Sequence, residues 1–311
     1  MAPLRLTITG ANGFVGRKVV AAVAQRHEAE IELVPFLDPE TGKSPDIADA
    51  AAVERTIAAL KPDRVLHLAA IAAPREAQRD SRRAWAVNVD GTLNIARALM
   101  AHRPEARLVW SGSSEAYGES FNRGPLPLPE TAALEPMSAY GASKAAADVA
   151  LAQLGRSGDL DTVVLRPFNH TGAGQAPDYV VPAFASQVAK IERGEQEPVL
   201  KVGNLEALRD FLDVEDVVAL YLAAVLAEGR IGGEAFNVST GAPVSIRSIL
   251  DTLLGMATMP IAIEVDPARY VPNAVPVASG CPSKAKERFG WSPMVLLNET
   301  LRNILDASRQ P

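Results

Sequence analysis

The stretch Leu4-Arg-Leu-Thr-Ile-Thr9-Gly10-Ala-Asn-Gly13-Phe-Val-Gly16 decides the fold. Leu4 to Thr9 alternates and is rich in β-branched residues, which reads as a first strand. Gly10, Gly13 and Gly16 follow, and Arg17 to Arg26 is helical in pattern. Strand, glycine turn and helix in that order make the dinucleotide-binding opening of a Rossmann fold. Gly10 permits the tight turn, Gly13 lets the backbone approach a pyrophosphate, and Gly16 lets helix and strand pack closely. The spacing G-x-x-G-x-x-G is one residue longer than the common dehydrogenase fingerprint.

Downstream the alternation continues. Ile31 to Phe36 reads as the second strand. An acid at its end would accept hydrogen bonds from a ribose 2′-hydroxyl, and Asp38 stands near the expected distance. Asp38 is equally a turn residue before Pro39. No arginine adjoins it to receive a 2′-phosphate, Lys43 being the nearby cation, so NADH and NADPH both stay open. Ala48 to Leu60 is an alanine-rich helix, and Arg64 to Ala70 is an apolar strand suited to a parallel sheet buried on both faces. Small residues Ala69 to Ala73 would let a cofactor lie close to the backbone. Ser81 to Arg103 reads as one long helix carrying Asn88, and Ala106 to Trp110 as the next strand.

That strand delivers Ser111 at its C-terminal end, where ligands of open parallel sheets bind. From there to Lys144 the chain gathers a hydroxyl, a carboxylate, a phenol and an amine. It runs Ser111-Gly-Ser113-Ser-Glu115-Ala-Tyr-Gly, then a proline-rich loop, then Tyr140-Gly-Ala-Ser-Lys144. A tyrosine four residues before a lysine puts both on one helical face. The pair suits proton donation to a carbonyl oxygen wherever a hydride is supplied nearby.

After Lys144 the helix continues to about Leu154, and Thr162 to Leu165 is a strand. Pro177 to Arg193 and Val214 to Ala227 read as helices. The tail alternates short strands (Pro198 to Val202, Ala235 to Val238, Ile261 to Val265) with helices (Ile246 to Leu254, Lys284 to Phe289, Leu297 to Ala307). The expected class is α/β. Residues 1–165 form an N-terminal Rossmann domain with a doubly wound parallel sheet, rejoined by about 210–235. Residues 166–209 and 236–311 form a smaller α/β C-terminal substrate lobe.

Composition narrows the function classes. The net charge of −6, with no basic block, argues against a nucleic-acid surface. The longest uncharged apolar run, Val217 to Ala227, is too short to span a bilayer. The single cysteine, Cys281, precludes an internal disulfide and suits a reducing compartment. With no signal peptide ahead of Leu4, a cytoplasmic location is expected. His27, His67, His102 and His170 have no metal-ligand spacing, so no metal is expected.

Three blocks in this order resemble the extended short-chain dehydrogenase/reductases, most of which act on nucleotide-diphosphate sugars. They are Thr9 to Gly16, His67-Leu-Ala-Ala70, and Ser113 with Tyr140-x-x-x-Lys144. Arg166-Pro-Phe-Asn-His-Thr-Gly-Ala-Gly-Gln175, Glu197 to Leu205 and Arg209-Asp-Phe-Leu-Asp-Val214 are similar to the GDP-mannose branch. Asp266 to Pro276 and Gly290-Trp-Ser-Pro293 fit it as well. Within that branch the chain looks closest to the reductases of GDP-4-keto-6-deoxy-mannose. It departs from the pattern at Val271, where the family often has a second arginine, and at Cys281-Pro282, where an aspartate usually precedes the Ser-Lys pair.

The resemblance implies NAD(P)H-dependent reduction of the C4 ketone of GDP-4-keto-6-deoxy-D-mannose to GDP-D-rhamnose or a close relative. It implies a homodimer joined through the helices at Ser81–Arg103 and Ser138–Leu154. Tyr140 would be the proton donor, Lys144 would lower its pKa and hold the nicotinamide ribose, and Ser113 would polarise the same carbonyl. Glu115 has two readings: the base that removes a C5 proton in the related dehydratases, or a polar contact at a strand end. Cofactor contacts are implied for Gly10, Asn12, Gly13, Phe14, Val15, Gly16, Asp38, Asp46, Ile47, Leu68, Ala69, Ala70, Asn88, Ser111, Tyr140, Lys144, Pro167 and His170. Substrate contacts are implied for Ser113, Glu115, Asn169, Val181, Val199, Lys201, Asn204, Arg209 and Arg269, with the two arginines on the diphosphate.

The first rival is a GDP-mannose 4,6-dehydratase, or another nucleotide-sugar epimerase or dehydratase, with Glu115 as base. Those dehydratases usually carry an arginine-bearing stretch where this chain has Thr171-Gly-Ala-Gly-Gln-Ala-Pro177, which favours the reductase. A non-enzymatic cofactor-sensing protein on the same fold would have no need of Ser113, Tyr140 and Lys144 together.

Overall fold

The computed structural model describes residues 2–268 and 274–310. The first elements are β1 (Leu4–Thr9), α1 (Phe14–Arg26), β2 (Ile31–Leu33), α2 (Ala50–Leu60) and β3 (Arg64–His67). Helices α3 (Pro74–Arg79), α4 (Ser81–Trp85) and α5 (Thr92–His102) lead to β4 (Arg107–Ser111). Helices α6 (Ser120–Arg123) and α7 (Ala139–Ser157) precede β5 (Asp161–Pro167). Beyond it come β6 (Asn169–Thr171), α8 (Val180–Glu192), β7 (Val199–Val202), β8 (Leu208–Arg209), β9 (Phe211–Asp213), α9 (Val214–Leu226) and β10 (Glu234–Val238). The last are β11 (Val244–Ser245), α10 (Ile246–Gly255), β12 (Ala262–Val265), β13 (Val277–Ala278), α11 (Ser283–Phe289) and α12 (Leu297–Arg309).

Six strands form one parallel sheet in the order β10-β5-β4-β3-β1-β2. The order reverses between β1 and β3, the switch point where an open α/β sheet leaves a crevice at its strand C-termini. One face is covered by α1 and α9, with Leu6, Val19, Val23, Val217 and Tyr221 in a shared core. The other is covered by α2, α5 and α7, with Val53, Ile57, Ile95, Leu99, Trp110 and Leu151. Every residue of β5 is therefore buried. The chain's return to the sheet runs through Val238, which pairs with Pro167. A third core, including Phe184, Val188, Leu200, Ile249, Leu253 and Ile304, lies among α8, α10, α12 and β7.

Two buried arginines brace the strand ends. Arg107 donates to Asp161 at 2.7 Å and to the carbonyls of Ala224, Ala227 and Gly229 around the end of α9, a cation at a helix C-terminus. Arg166 grips Asp148 with two bonds of 2.8 and 2.9 Å and donates to the Tyr117 hydroxyl at 2.8 Å. That fork ties β5 to α7 and to the segment after β4.

Three sequence expectations change. The second strand ends at Leu33 rather than Phe36, since Pro35 has no N–H for the ladder. β3 stops at His67, short of Ala70, because the Leu68 and Ala69 amides turn to the Thr9 hydroxyl, each at 3.2 Å. The helix expected over Ser81–Arg103 is wound as a π-helix in its middle, Ala86–Gly91. Gly91 there packs on Ile47, where a Cβ would come 2.7 Å from Ile47 Cγ1. Among the described residues, no helix is long and apolar enough to cross a membrane.

Candidate active site

The glycine turn closes tightly on itself. Gly10 has φ +72°, and a Cβ there would lie 2.8 Å from the Ala69 nitrogen. A Cβ on Gly16 would lie 2.3 Å from the Gly10 carbonyl oxygen. Neither position admits a side chain. Helix α1 starts at Gly13 with no side-chain cap and no acid in its first turn, so its leading amides are open to an anion. Asn12, Phe14 and Val15 complete the turn, and Arg17 anchors it by donating to the Asn12 carbonyl at 2.6 Å. These residues fit the pyrophosphate of a dinucleotide.

The next wall is held by side chains from several elements. Asp38 is buried, accepting the Glu40 amide at 2.9 Å and the Arg55 guanidinium at 2.8 Å. Those two partners hold its carboxyl below the usual carboxylate range. Its turn reading is thus realised, and the expectation that no arginine adjoins it is corrected. Arg55 arrives from α2, 17 residues along the chain. Asp46 accepts from the Ala48 amide at 3.0 Å and from Arg83 at 2.7 Å, while the Ile47 carbonyl accepts from Asn94 at 3.0 Å. Asn88, expected against the cofactor, is buried with its amide occupied. It accepts from the Ile71 amide at 2.9 Å and donates to the Ile71 carbonyl and the Ser143 hydroxyl, so it clamps the loop after β3 to α7.

His67 sits beneath this loop between Thr9 (Nδ1, 2.6 Å) and Thr92 (Nε2, 3.1 Å). Thr92 already donates to the Asn88 carbonyl, so it accepts from Nε2–H and Thr9 donates to Nδ1. Burial, with the nearby Lys144, pulls the imidazole pKa down to about 3 and keeps it neutral. Pro167 is buried at the end of β5. His170 donates from Nδ1 to the Phe168 carbonyl at 3.0 Å, and burial pushes its pKa down.

The chemical centre forms where β4 ends and α7 begins. Ser138 caps α7 by accepting the Gly141 amide at 2.9 Å, and its hydroxyl donates to Glu115 Oε2 at 3.0 Å. Ser113 caps the short turn Ser114–Ala116, accepting the Glu115 amide at 3.1 Å, and hydrogen-bonds the Tyr140 phenol. Burial first, then the Glu115 charge, pushes the Tyr140 pKa well above the usual phenol value, with the Ser113 bond opposing. Lys144 donates to the Ser111 carbonyl at 2.7 Å and lies 4.9 Å above the Trp110 ring. Burial pulls its pKa down to about 7. The amine, one helical turn from Tyr140, is thus engaged by a main-chain carbonyl. Glu115 is raised by burial, against the Ser138 bond and the Arg209 charge. The Ser111 hydroxyl pairs with Tyr221 at 2.8 Å.

This centre opens on a cavity of about 1470 Å³ that reaches from Glu115 and Ser138 to Asn169, Lys201, Asn204 and Arg209. Arg209 donates to the Leu208 carbonyl at 2.8 Å, and burial lowers its pKa against the Glu115 charge. Two expected contacts fall elsewhere. Val181 is buried in the core of α8, whereas Val180, Ala183 and Phe184 face the cavity. One residue along a helix turns the side chain by about 100°. Val199 opens β7 outside the lining, which starts two residues later at Lys201. Arg269 lies outside the described residues.

Sequence reasoning missed Arg75, Glu76 and Arg79 of α3, Tyr179 ahead of α8, and Ser138, all lining the cavity. Only Ser138 carried a signal, as a capping residue ahead of a helical run. Among the described residues, no cluster of acidic, histidine or cysteine side chains could hold a metal ion.

Residues 6–239 match the model of the NAD dependent epimerase/dehydratase family. The chain is 33% identical over 301 residues to the GDP-6-deoxy-D-mannose reductase of Pseudomonas aeruginosa, covering 97% of this chain and 96% of that one. It superposes on RMD from Pseudomonas aeruginosa, complexed with NADPH, with a TM-score of 0.89 at 31% identity over 98% and 99% of the two chains. Against the Thermus thermophilus UDP-glucose 4-epimerase in complex with NAD the TM-score is 0.81 at 28% identity, over 99% of each. The similarity runs through both the glycine turn and the substrate-side strands, so the chain belongs to the NAD dependent epimerase/dehydratase family, the extended short-chain dehydrogenase/reductases, which bind NAD(P).

Proposed function

We propose that this chain uses NADPH or NADH to reduce the C4 ketone of GDP-4-keto-6-deoxy-D-mannose, giving GDP-D-rhamnose or a close relative. The observation that carries the reading is the buried Tyr140, bonded to Ser113 and one helical turn from Lys144, next to Glu115 and Ser138 on the wall of a cavity that Lys201 and Arg209 also line. Such a group is set to give a proton. Against the dehydratases, which usually carry an arginine-bearing stretch after Asn169-His170, this chain has Thr171-Gly-Ala-Gly-Gln-Ala-Pro177, which favours the reductase. The reductase relative adds support for the GDP-linked substrate.

Reduced nicotinamide, when bound, supplies the hydride to C4. Tyr140 gives its proton to the carbonyl oxygen and Ser113 donates to the same atom, so the ketone becomes a secondary alcohol. Lys144 would hold a ribose hydroxyl of the cofactor, and Arg209 the diphosphate. Glu115, fixed by Ser138, lines the sugar end as a hydrogen-bonding group. Residues 166–209 and 236–311 act as the sugar-nucleotide lobe. A homodimer through α4, α5 and α7 belongs to the same reading: Trp85 and Val149, both apolar, are 43% and 61% exposed on these helices.

Two incubations test it. With GDP-4-keto-6-deoxy-mannose and reduced cofactor, the cofactor is oxidised and a 6-deoxy sugar nucleotide forms. With GDP-mannose and oxidised cofactor, nothing happens. Formation of the 4-keto sugar in the second tube refutes the reductase reading.

A further inference from the structure

The reduction leaves one phenol in the cavity unused. Of the four described tyrosines, Tyr117 donates to Asn237 at 2.8 Å, Tyr221 pairs with Ser111 at 2.8 Å, and Tyr140 bonds Ser113. The hydroxyl of the fourth, Tyr179, makes no hydrogen bond within the described residues and belongs to the cavity lining. Tyr179 is 41% exposed, and a phenol on a cavity wall whose hydroxyl is left over is suited to a ligand. Tyr179 stands at the start of α8, on the segment that also brings Asp178 to the cavity, and Glu76 reaches the same cavity from α3. Tyr179 shares its cavity with Glu115 and Ser138 of the chemical centre, and Tyr140 and Glu76 are close enough for their charges to be felt between them and the Tyr179 phenol. Burial and the two carboxylates raise its pKa, which keeps it a hydrogen-bond donor throughout the neutral range.

We propose that Tyr179 is a substrate-positioning residue whose hydroxyl, with the Glu76 carboxylate beside it, holds a ring hydroxyl of the sugar next to the carbon being reduced. The inference rests on reading the cavity as a sugar-nucleotide site. A hydroxyl fixed at that point decides which face of the ketone meets the hydride, so the product is a single C4 epimer. The guanosine and diphosphate bind elsewhere and do not depend on Tyr179.

The test compares wild type with Tyr179→Phe by calorimetric titration of two pairs, GDP with GDP-mannose and UDP with UDP-glucose. In the pair that the wild type binds, Tyr179→Phe weakens the sugar conjugate by about tenfold and leaves the free nucleoside diphosphate unchanged. Where a 4-keto conjugate is turned over, the variant also yields a mixture of C4 epimers by NMR. A variant that binds both members of the pair as the wild type does overturns the proposal. So does one that weakens both equally, since that marks a structural role, and so does a wild type that binds neither conjugate. Wild-type binding of the UDP pair alone refutes the GDP reading while still testing Tyr179.

Discussion

Lys144→Met should stabilise the protein near neutral pH while removing its function. Burial lowers the folded-state pKa of Lys144 from 10.5 to about 7. Each unit is worth about 1.4 kcal/mol, so the full span is about 5 kcal/mol. Between those two pKa values the unfolded chain holds a proton that the folded chain has released. Stability therefore rises with pH through that window, and the burial cost is present in full only below it. At pH 7 the cost is about 4 kcal/mol, and by about pH 9.5 it has fallen by about 3 kcal/mol. Methionine removes this cost but strands the Ser111 carbonyl, which forfeits about 1–3 kcal/mol. The assay is urea denaturation of both proteins without cofactor at several pH values, taking the difference so that other titrating groups cancel. The variant should be more stable by about 1–3 kcal/mol at pH 7, with the wild type overtaking it as the pH rises. A difference that stays flat with pH, or grows in the variant's favour, would mean that the amine remains charged in the fold.

Three other substitutions probe separate parts of the site. Tyr140→Phe should keep the fold and the cofactor affinity while lowering turnover by about 10²–10⁴-fold, measured by cofactor oxidation and fluorescence titration. Gly16→Ala forces a Cβ to 2.3 Å from the Gly10 carbonyl oxygen. It should cost about 1–3 kcal/mol of stability and most of the cofactor affinity, while nucleoside-diphosphate binding is retained. Arg209→Met should weaken nucleoside-diphosphate binding by about 10–100-fold in calorimetry, with no change in cofactor affinity.

Local chemistry made the core of the site legible in the sequence. The Gly10–Gly16 turn depends on steric facts that hold wherever a strand feeds a helix, and Tyr140 and Lys144 share a helical face by spacing alone. What escaped depended on distant chain segments meeting. Arg55 pairs with Asp38 from another element, and Asn88 is occupied by Ile71 and Ser143. The partner of Lys144 escaped for the same kind of reason, because no spacing rule says that its amine will find the Ser111 carbonyl. Val181 missed the cavity by one residue, which periodicity alone does not resolve when the first six residues of α8, Val180 to Ala185, are all apolar. Tyr179 carried no signal, being one aromatic residue in a loop.

Deuterium transfer tests the central claim most directly. The protein is supplied with GDP-4-keto-6-deoxy-mannose and reduced cofactor carrying deuterium at the transferable nicotinamide position. One deuterium should appear in the product, at C4, with one cofactor oxidised per sugar. Recovery of the ketone without label, or conversion of the sugar with no net oxidation of cofactor, would contradict it.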